Sequence, residues 1–395
     1  MSPTQAIATV RPWVRVACRP VAFIFCGVFL VAAHCGQKPP PNPQMLIQQQ
    51  ACVRNLELRD YEAAETRCQI CLEYDGTDPE CLNGLGLVWY ARGVDDKAAE
   101  YFRKAIRENN DFAQARNNLG VVLFNAADFD AAAPMFAAAV KIDPRYLDGR
   151  YNLALVYLRI GQRVNAQRGD KDRAFSAYDL AEDQYRRIFE LYPEHTDSYR
   201  DMGLIMTYRA QMRTIDNKKR QDLKDAEEYF MRCLQLQPTH ETCHESLAHI
   251  LLEQGRYEEA LFHDLQCLAA QTKNPICAQE LPKAYEGSQL KSESLHQYIT
   301  QLSQNPGYAP GHYAFCVVLF EKGLSEMAVT ECETALHLDD RICLAHFQLG
   351  NYFMDVLNRD RATSSCRSFI GCADPKQNGA ELQKCKDVIH ALEVD

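Results

Sequence analysis

Residues 113–144 read AQARNNLGVVLFNAADFDAAAPMFAAAVKIDP. Leu119-Gly120 sets a large apolar residue beside a small one on a first helix. Ala132 follows twelve residues after Gly120, Phe136 comes four later, then Ala139, and Asp143-Pro144 closes the stretch. Two helices can approach closely only where one of them carries a small side chain. Gly120 supplies that gap, Ala132 faces it, and Phe136 fills the layer between neighbouring helix pairs.

The same order recurs outward in both directions. Upstream it reads Leu85-Gly86, Trp89, Gly93, Ala98, Phe102 and Ala105. The small slot falls at Cys52, Gly86, Gly120, Ala154, Gly203, Ala248, Pro282, Cys316 and Gly350, and most intervals are 34 residues. Two are longer: Ala154 to Gly203 spans 49 and Gly203 to Ala248 spans 45. Over residues 45–375 this pattern resembles the tetratricopeptide repeat. The resemblance implies an all-α chain, a right-handed superhelical solenoid of about nine helix pairs. Pro282 is an unusual occupant of its slot. Residues 376–395 read as a capping helix and tail, with Leu382, Cys385, Ile389 and Leu392 on one stripe to cover the last apolar face. The surplus residues of the long intervals lie near 162–176 and 211–223, two basic islands. They read either as lengthened helices with solvated ends or as a contact patch for an acidic surface or lipid headgroups.

With 47% hydrophobic and 24% charged residues the chain is globular, and a formal charge of −10 argues against nucleic acid as a partner. The N-terminus carries Arg11, Arg15 and Arg19 and then an apolar run, Val21 to Ala33, broken only by Cys26 and Gly27. Thirteen residues suit a signal-peptide core better than a membrane span. Ala32-Ala33-His34-Cys35 follows, and it resembles the signal of bacterial lipoproteins, with residues 1–34 removed and Cys35 lipidated (palmitate among its acyl chains). Ordinary cleavage nearby or an uncleaved anchor are the alternatives. Residues 35–44, with Pro39, Pro40, Pro41 and Pro43, read as a linker that holds the folded part off a membrane. Gly36 differs from the Asp that retains lipoproteins at the inner membrane, so the resemblance implies the outer membrane, facing the periplasm.

Seventeen cysteines then have a use. An exported chain permits disulfides. Repeat positions imply bonds at a spacing of ten, Cys71–Cys81, Cys233–Cys243 and Cys267–Cys277, between the end of one pair and the start of the next. They imply bonds at sixteen, Cys52–Cys68 and Cys316–Cys332, between facing slots of one pair. Of the last four, Cys372–Cys385 ties the cap, which leaves Cys343 with Cys366.

Two short motifs suggest chemistry. His240-Glu241-Thr242-Cys243-His244 matches the zinc-hydrolase pattern, with His249 or His263 as a further ligand, but His240 precedes its helix and Cys243 belongs to a disulfide. Cys68-Gln69-Ile70-Cys71 matches a redox motif but lies inside a second helix without a strand beside it. Asn118 and Asn152 read as structural. The superhelix's concave face is expected to present Asn83, Asn117, Tyr151 and Arg200, with Leu87, Val121, Leu155 and Leu204 one turn on. That apolar stripe flanked by polar groups suits an amphipathic helix or extended peptide, or serves packing between helices. The expectation is a lipid-anchored envelope scaffold, not an enzyme, needing no cofactor or metal and binding an envelope protein. Its layout also resembles the pilotins of type IV pilus systems, which carry an outer-membrane secretin.

Overall fold

The computed structural model describes residues 42–167, 170–270, 274–290 and 293–394. The signal core, Cys35 and the spacer up to residue 41 lie outside them. The described residues form nineteen helices and no strand. They run as nine antiparallel pairs: α1 (Pro43–Glu57) with α2 (Tyr61–Tyr74), α3 (Pro79–Ala91) with α4 (Asp95–Glu108), α5 (Ala113–Asn125) with α6 (Phe129–Ile142), α7 (Leu147–Ala166) with α8 (Lys171–Leu191), α9 (Thr196–Met212) with α10 (Asp216–Leu236), α11 (Glu241–Glu253) with α12 (Tyr257–Ala270), α13 (Pro275–Gly287) with α14 (Glu293–Gln304), α15 (Ala309–Glu321) with α16 (Ser325–Leu338), and α17 (Cys343–Asp355) with α18 (Arg359–Cys372). A final helix, α19 (Gly379–Val394), packs on the last pair. The chain divides into two compact units, one holding α1–α8 and one starting at Glu194 with α9–α19. No described helix is long and apolar enough to cross a membrane.

Helix starts follow local chemistry. Asp78 and Asp128 cap α3 and α6 by accepting from Cys81 N at 2.8 Å and Ala131 N at 3.1 Å. Asn274 does the same for α13. Each satisfies backbone donors that the first helical turn leaves unpaired. Pro43, already inside α1 and capped by Asn42, shows that the helical part begins within the expected linker.

The small slots work as the spacing predicts. A Cβ built at Gly86 would stand 2.5 Å from the Phe102 ring, and one at Gly120 would stand 2.6 Å from that of Phe136. Phe102 and Phe136 are almost fully buried. In the first and eighth pairs the same two slots hold Cys52 with Cys68 and Cys316 with Cys332. Each couple is disulfide-bonded, with Cα atoms 5.2 and 5.3 Å apart. A covalent bridge therefore replaces the ring-on-glycine contact.

The surplus residues of the fourth and fifth pairs are mostly extra helical turns. α7 and α8 have 20 and 21 residues, against 13 and 14 for α5 and α6. The longer fourth pair adds a second small-on-aromatic contact, Gly161 against Tyr178, that repeat spacing does not disclose. Within these basic stretches Arg163 pairs with Asp130 at 2.8 Å and Arg213 with Asp222 at 2.9 Å.

In six of the pairs, one residue in the turn after the first helix takes a left-handed conformation: Gly93, Gly255 and Gly323, but also Arg59, Ala127 and Leu357. A Cβ collides with the following carbonyl there, and only glycine escapes that cost. Leu357 has φ 59° and is 81% exposed, so its side chain gains little by burial. Leu357→Gly is expected to raise stability by about 1 kcal/mol, read as a higher denaturation midpoint; an unchanged or lower midpoint would contradict it.

The spacing-ten cysteines are joined as expected, Cys71–Cys81, Cys233–Cys243 and Cys267–Cys277. The last four are not. Cys343 bonds Cys372 and Cys366 bonds Cys385, in place of Cys343–Cys366 and Cys372–Cys385. The reason is geometric. Cys343 opens α17 and Cys372 ends α18, so antiparallel packing brings them together. Gly350 already fills the slot facing Cys366, whose sulfur lies 2.9 Å from a Cβ built at that glycine. Cys366 and Cys385 lie in one buried cluster with Leu382 and Val388 of the cap.

Candidate functional site

The second unit carries a cleft of about 600 Å³ among three second helices, α10, α12 and α16. α10 supplies Met231, Leu234 and Gln235 as one wall. α16 supplies Thr330, Glu333, Thr334, His337 and Leu338 as the other. α12 lies between with Phe262, His263, Gln266, Ala269 and Ala270. On each helix these positions recur at three and four residues, which is one face. Pro238, Thr239 and His244 close one end. A hydrogen bond from Gln266 Nε2 to Glu331 Oε1, 2.8 Å, ties α12 directly to α16 and passes over the seventh pair.

Histidines underlie the floor. His244 Nε2 donates to the Pro238 carbonyl at 2.8 Å, so its Nδ1 is the acceptor for His263 Nδ1, 2.9 Å away. Burial pushes both rings towards neutrality, His244 down to about 4 and His263 down to about 3. In this tautomer Nε2 of His263, a residue of the cleft lining, is an acceptor.

Two repeats later the same positions carry His312 and Glu331, both buried. His312 Nε2 donates to the Pro306 carbonyl at 2.9 Å and Nδ1 donates to Glu331 Oε2 at 2.7 Å. Burial opposes the charged ring, but the bond and charge of Glu331 outweigh it and raise its pKa. In the first unit Arg116 and Arg150 make the equivalent tie, to the carbonyls of Asn110 and Pro144. The sequence signal for this device is a donor side chain six residues after the turn, at the repeat period.

Glu331→Gln is expected to cost about 2 kcal/mol at pH 6, since it removes a charge-assisted bond. His312 has its folded pKa raised, so that contribution is present below the unfolded value near 6.5 and is lost as pH rises through the folded one. The cost should shrink by pH 9 in denaturant titrations. An equal cost at both pH values would rule out the ion pair.

Four of the eight positions expected to line a concave face are inside. Asn83, Asn117, Tyr151 and Leu155 are buried, Asn117 to 1% exposure. Asn118 Nδ2 donates to Asn83 Oδ1 and Asn152 Nδ2 to Asn117 Oδ1, at 3.0 and 2.9 Å. Leu87, Val121 and Leu204 are half-buried, with Leu87 and Val121 against neighbouring core clusters. Arg200 pairs with Asp197 and Asp201. The Asn pairs link successive first helices, whereas the cleft is lined mainly by second helices.

His240 and His244 do not converge. His240 is the N-cap of α11, with Nε2 3.9 Å from Asp197. Both nitrogens of His244 are engaged, Glu241 accepts from Asn274, and His249 bonds Glu280. Cys68 and Cys71 are bonded to different partners, not to each other. Cys71, Asp78 and Cys81 cluster, as do Cys233, His240 and Cys243. In both, the sulfurs are disulfides and the middle residue stands at a helix cap.

Residues 55–113, 96–144 and 117–187 match a family model described as a tetratricopeptide repeat, and residues 218–240 match a second of that description. No curated protein matches the chain in sequence. Among solved structures the chain is similar to a thermophilic repeat protein of Thermus thermophilus, at 21% identity over 53% of this chain and 99% of that one, TM-score 0.40. It is similar to PilF of Pseudomonas aeruginosa, at 16% identity over 61% and 97%, TM-score 0.49. It is also similar to PilW, a widely conserved type IV pilus biogenesis factor, at 19% identity over 61% and 99%, TM-score 0.49.

Proposed function

We propose that this chain, an all-helical solenoid whose residues 55–187 and 218–240 match tetratricopeptide-repeat models, is a lipid-anchored scaffold of the cell envelope that holds another envelope protein. Nine helix pairs with a recessed, largely apolar cleft make a binding surface, and that cleft is the observation that carries the reading. The envelope part rests on the sequence: a basic start, a short apolar core and Cys35, followed by a folded part whose fourteen cysteines form seven bonds. Such bonds persist in an oxidising compartment. The outer membrane is the proposed site, on Gly36 standing where an inner-membrane lipoprotein carries Asp.

Catalysis is not part of this reading. The histidines of the zinc-hydrolase pattern are committed to Asp197, His263 and the Pro238 carbonyl.

The test is purification of the full chain from detergent-extracted membranes, with mass spectrometry of the chain and of whatever it retains. A diacylglyceryl mass on Cys35 and a stoichiometric envelope protein support the proposal. Recovery from the soluble fraction without lipid rejects the anchor, and recovery without any protein rejects the scaffold. A secretin or pilus component as the retained protein narrows the reading to a pilotin-like assembly factor.

A further inference from the structure

We infer that the cleft between α10 and α16 receives an amphipathic helix of the partner, about two turns long, with Lys or Arg flanking its apolar face. This rests on the scaffold reading and adds the chemistry of what is held.

Length argues first. The α10 side runs from Met231 to Pro238 and the α16 side from Thr330 to Leu338. Eight to nine residues, seven to eight helical rises, span roughly 10–12 Å, two turns of a docked helix. A helix of that reach offers apolar anchors at i, i+3 or i+4, and i+7. Depth comes from Ala269 and Ala270, whose short side chains leave the space above α12 open. Met231 and Leu338 stand on opposite walls, 43% and 42% exposed, and are among the large apolar side chains that the second unit leaves in water. A cleft with two apolar lips, open along its length, suits a rod better than an enclosed small molecule.

Charge argues second. The lining holds one carboxylate, Glu333, and neither Lys nor Arg. Glu228 lies one turn before Met231 on the same face of α10, with its side chain 69% exposed. Glu333 pairs with Arg361 and Glu228 with Lys224, both pairs being exposed and therefore weak enough to exchange. His263 offers an acceptor. Without Lys or Arg the lining offers a phosphate or carboxylate head no fixed positive charge, which disfavours a phospholipid or fatty acid. Two exposed Glu beside an apolar floor that carries no Lys or Arg, on a chain of net charge −10, favour a basic amphipath.

Two measurements test this. The first places photoreactive p-benzoylphenylalanine at Leu338 of the full chain in cells, then sequences the cross-linked segment. The expected adduct is a segment with apolar residues at helical spacing and more Lys and Arg than Asp and Glu. An acidic or extended segment, a lipid adduct, or no adduct while the wild type still retains its protein overturns the inference and leaves the scaffold standing. Retention of no protein at all rejects the scaffold reading itself.

The second titrates the purified full chain with a fluorescein-labelled Leu/Lys amphipathic peptide of about 15 residues and with its Leu/Glu counterpart. The Lys peptide should bind at least about tenfold tighter. Ala269→Trp, which fills the floor, should weaken it by about tenfold, while Ala269→Ser should not. Equal binding by the Trp variant, with its disulfides intact by mass, overturns the site.

Discussion

Asp264→Leu is expected to stabilise the second unit by about 4 kcal/mol at pH 7. Asp264 sits in α12 with no exposed surface, and neither carboxylate oxygen has a hydrogen-bond partner. Burial, then the negative charges of Glu280 and Glu245, push its pKa up to about 9, against the partial relief of Lys283. The folded value lies above the unfolded one, so between about pH 4 and pH 9 the native state keeps a proton that the unfolded chain has released. Stability then falls by about 1.4 kcal/mol for each pH unit across that window, and this penalty is absent at and below pH 4. The leucine variant has nothing to titrate there. Urea titrations at pH 5, 7 and 9 should show a gap between variant and wild type that widens with pH. A gap of constant size would falsify the assignment of a buried protonated carboxyl.

Phe136→Ala should cost about 3–5 kcal/mol. The ring is buried to 1% exposure and rests on Gly120, so its removal leaves a void that rigid helices cannot close. The natural alternative at these two slots is a disulfide, as in Cys52–Cys68 and Cys316–Cys332. The double variant Gly120→Cys with Phe136→Cys should therefore oxidise spontaneously. Closing a loop of that length should return about 3 kcal/mol relative to its reduced form. Thiol titration and paired denaturation curves, with and without reductant, decide it. A double variant whose thiols stay free under air would show that the two slots are not interchangeable.

The sequence disclosed the architecture because each repeat states the same contact in the same order. Gly86 with Phe102 and Gly120 with Phe136 are single-layer events, set by spacing along two adjacent helices. The same logic located five disulfides. It failed at Cys343, Cys366, Cys372 and Cys385 because the cap breaks the period, and there helix ends and a shared apolar cluster decide which sulfurs meet. Spacing did not point to the cleft either. Asn83 and Asn117 hold positions where a groove was expected, yet Asn118 and Asn152 of the next first helices bond to them. The cleft draws Met231, Phe262 and Thr334 from three separate helices, with the seventh pair's second helix outside its lining. No local spacing encodes that juxtaposition.

The connectivity of the sulfurs has a consequence for biogenesis. From Cys52 onward the first five bonds each join a cysteine to the next one in the chain. A chain threaded through a membrane from its N-terminus and oxidised as it emerges makes all five by taking the first available neighbour. The final two bonds cross: Cys366 lies inside the Cys343–Cys372 loop and reaches beyond it to Cys385. First-come oxidation there gives Cys343–Cys366 and Cys372–Cys385, which must be reshuffled over seconds to hours unless an isomerase acts. On the proposed export, the body of the solenoid would mature with an oxidase alone, and its closing helix would depend on the cell's capacity for thiol exchange. A strain without a periplasmic disulfide isomerase should accumulate a chain correctly bonded through Cys332 and mistied after it, which peptide mapping under non-reducing conditions would separate from the mature form.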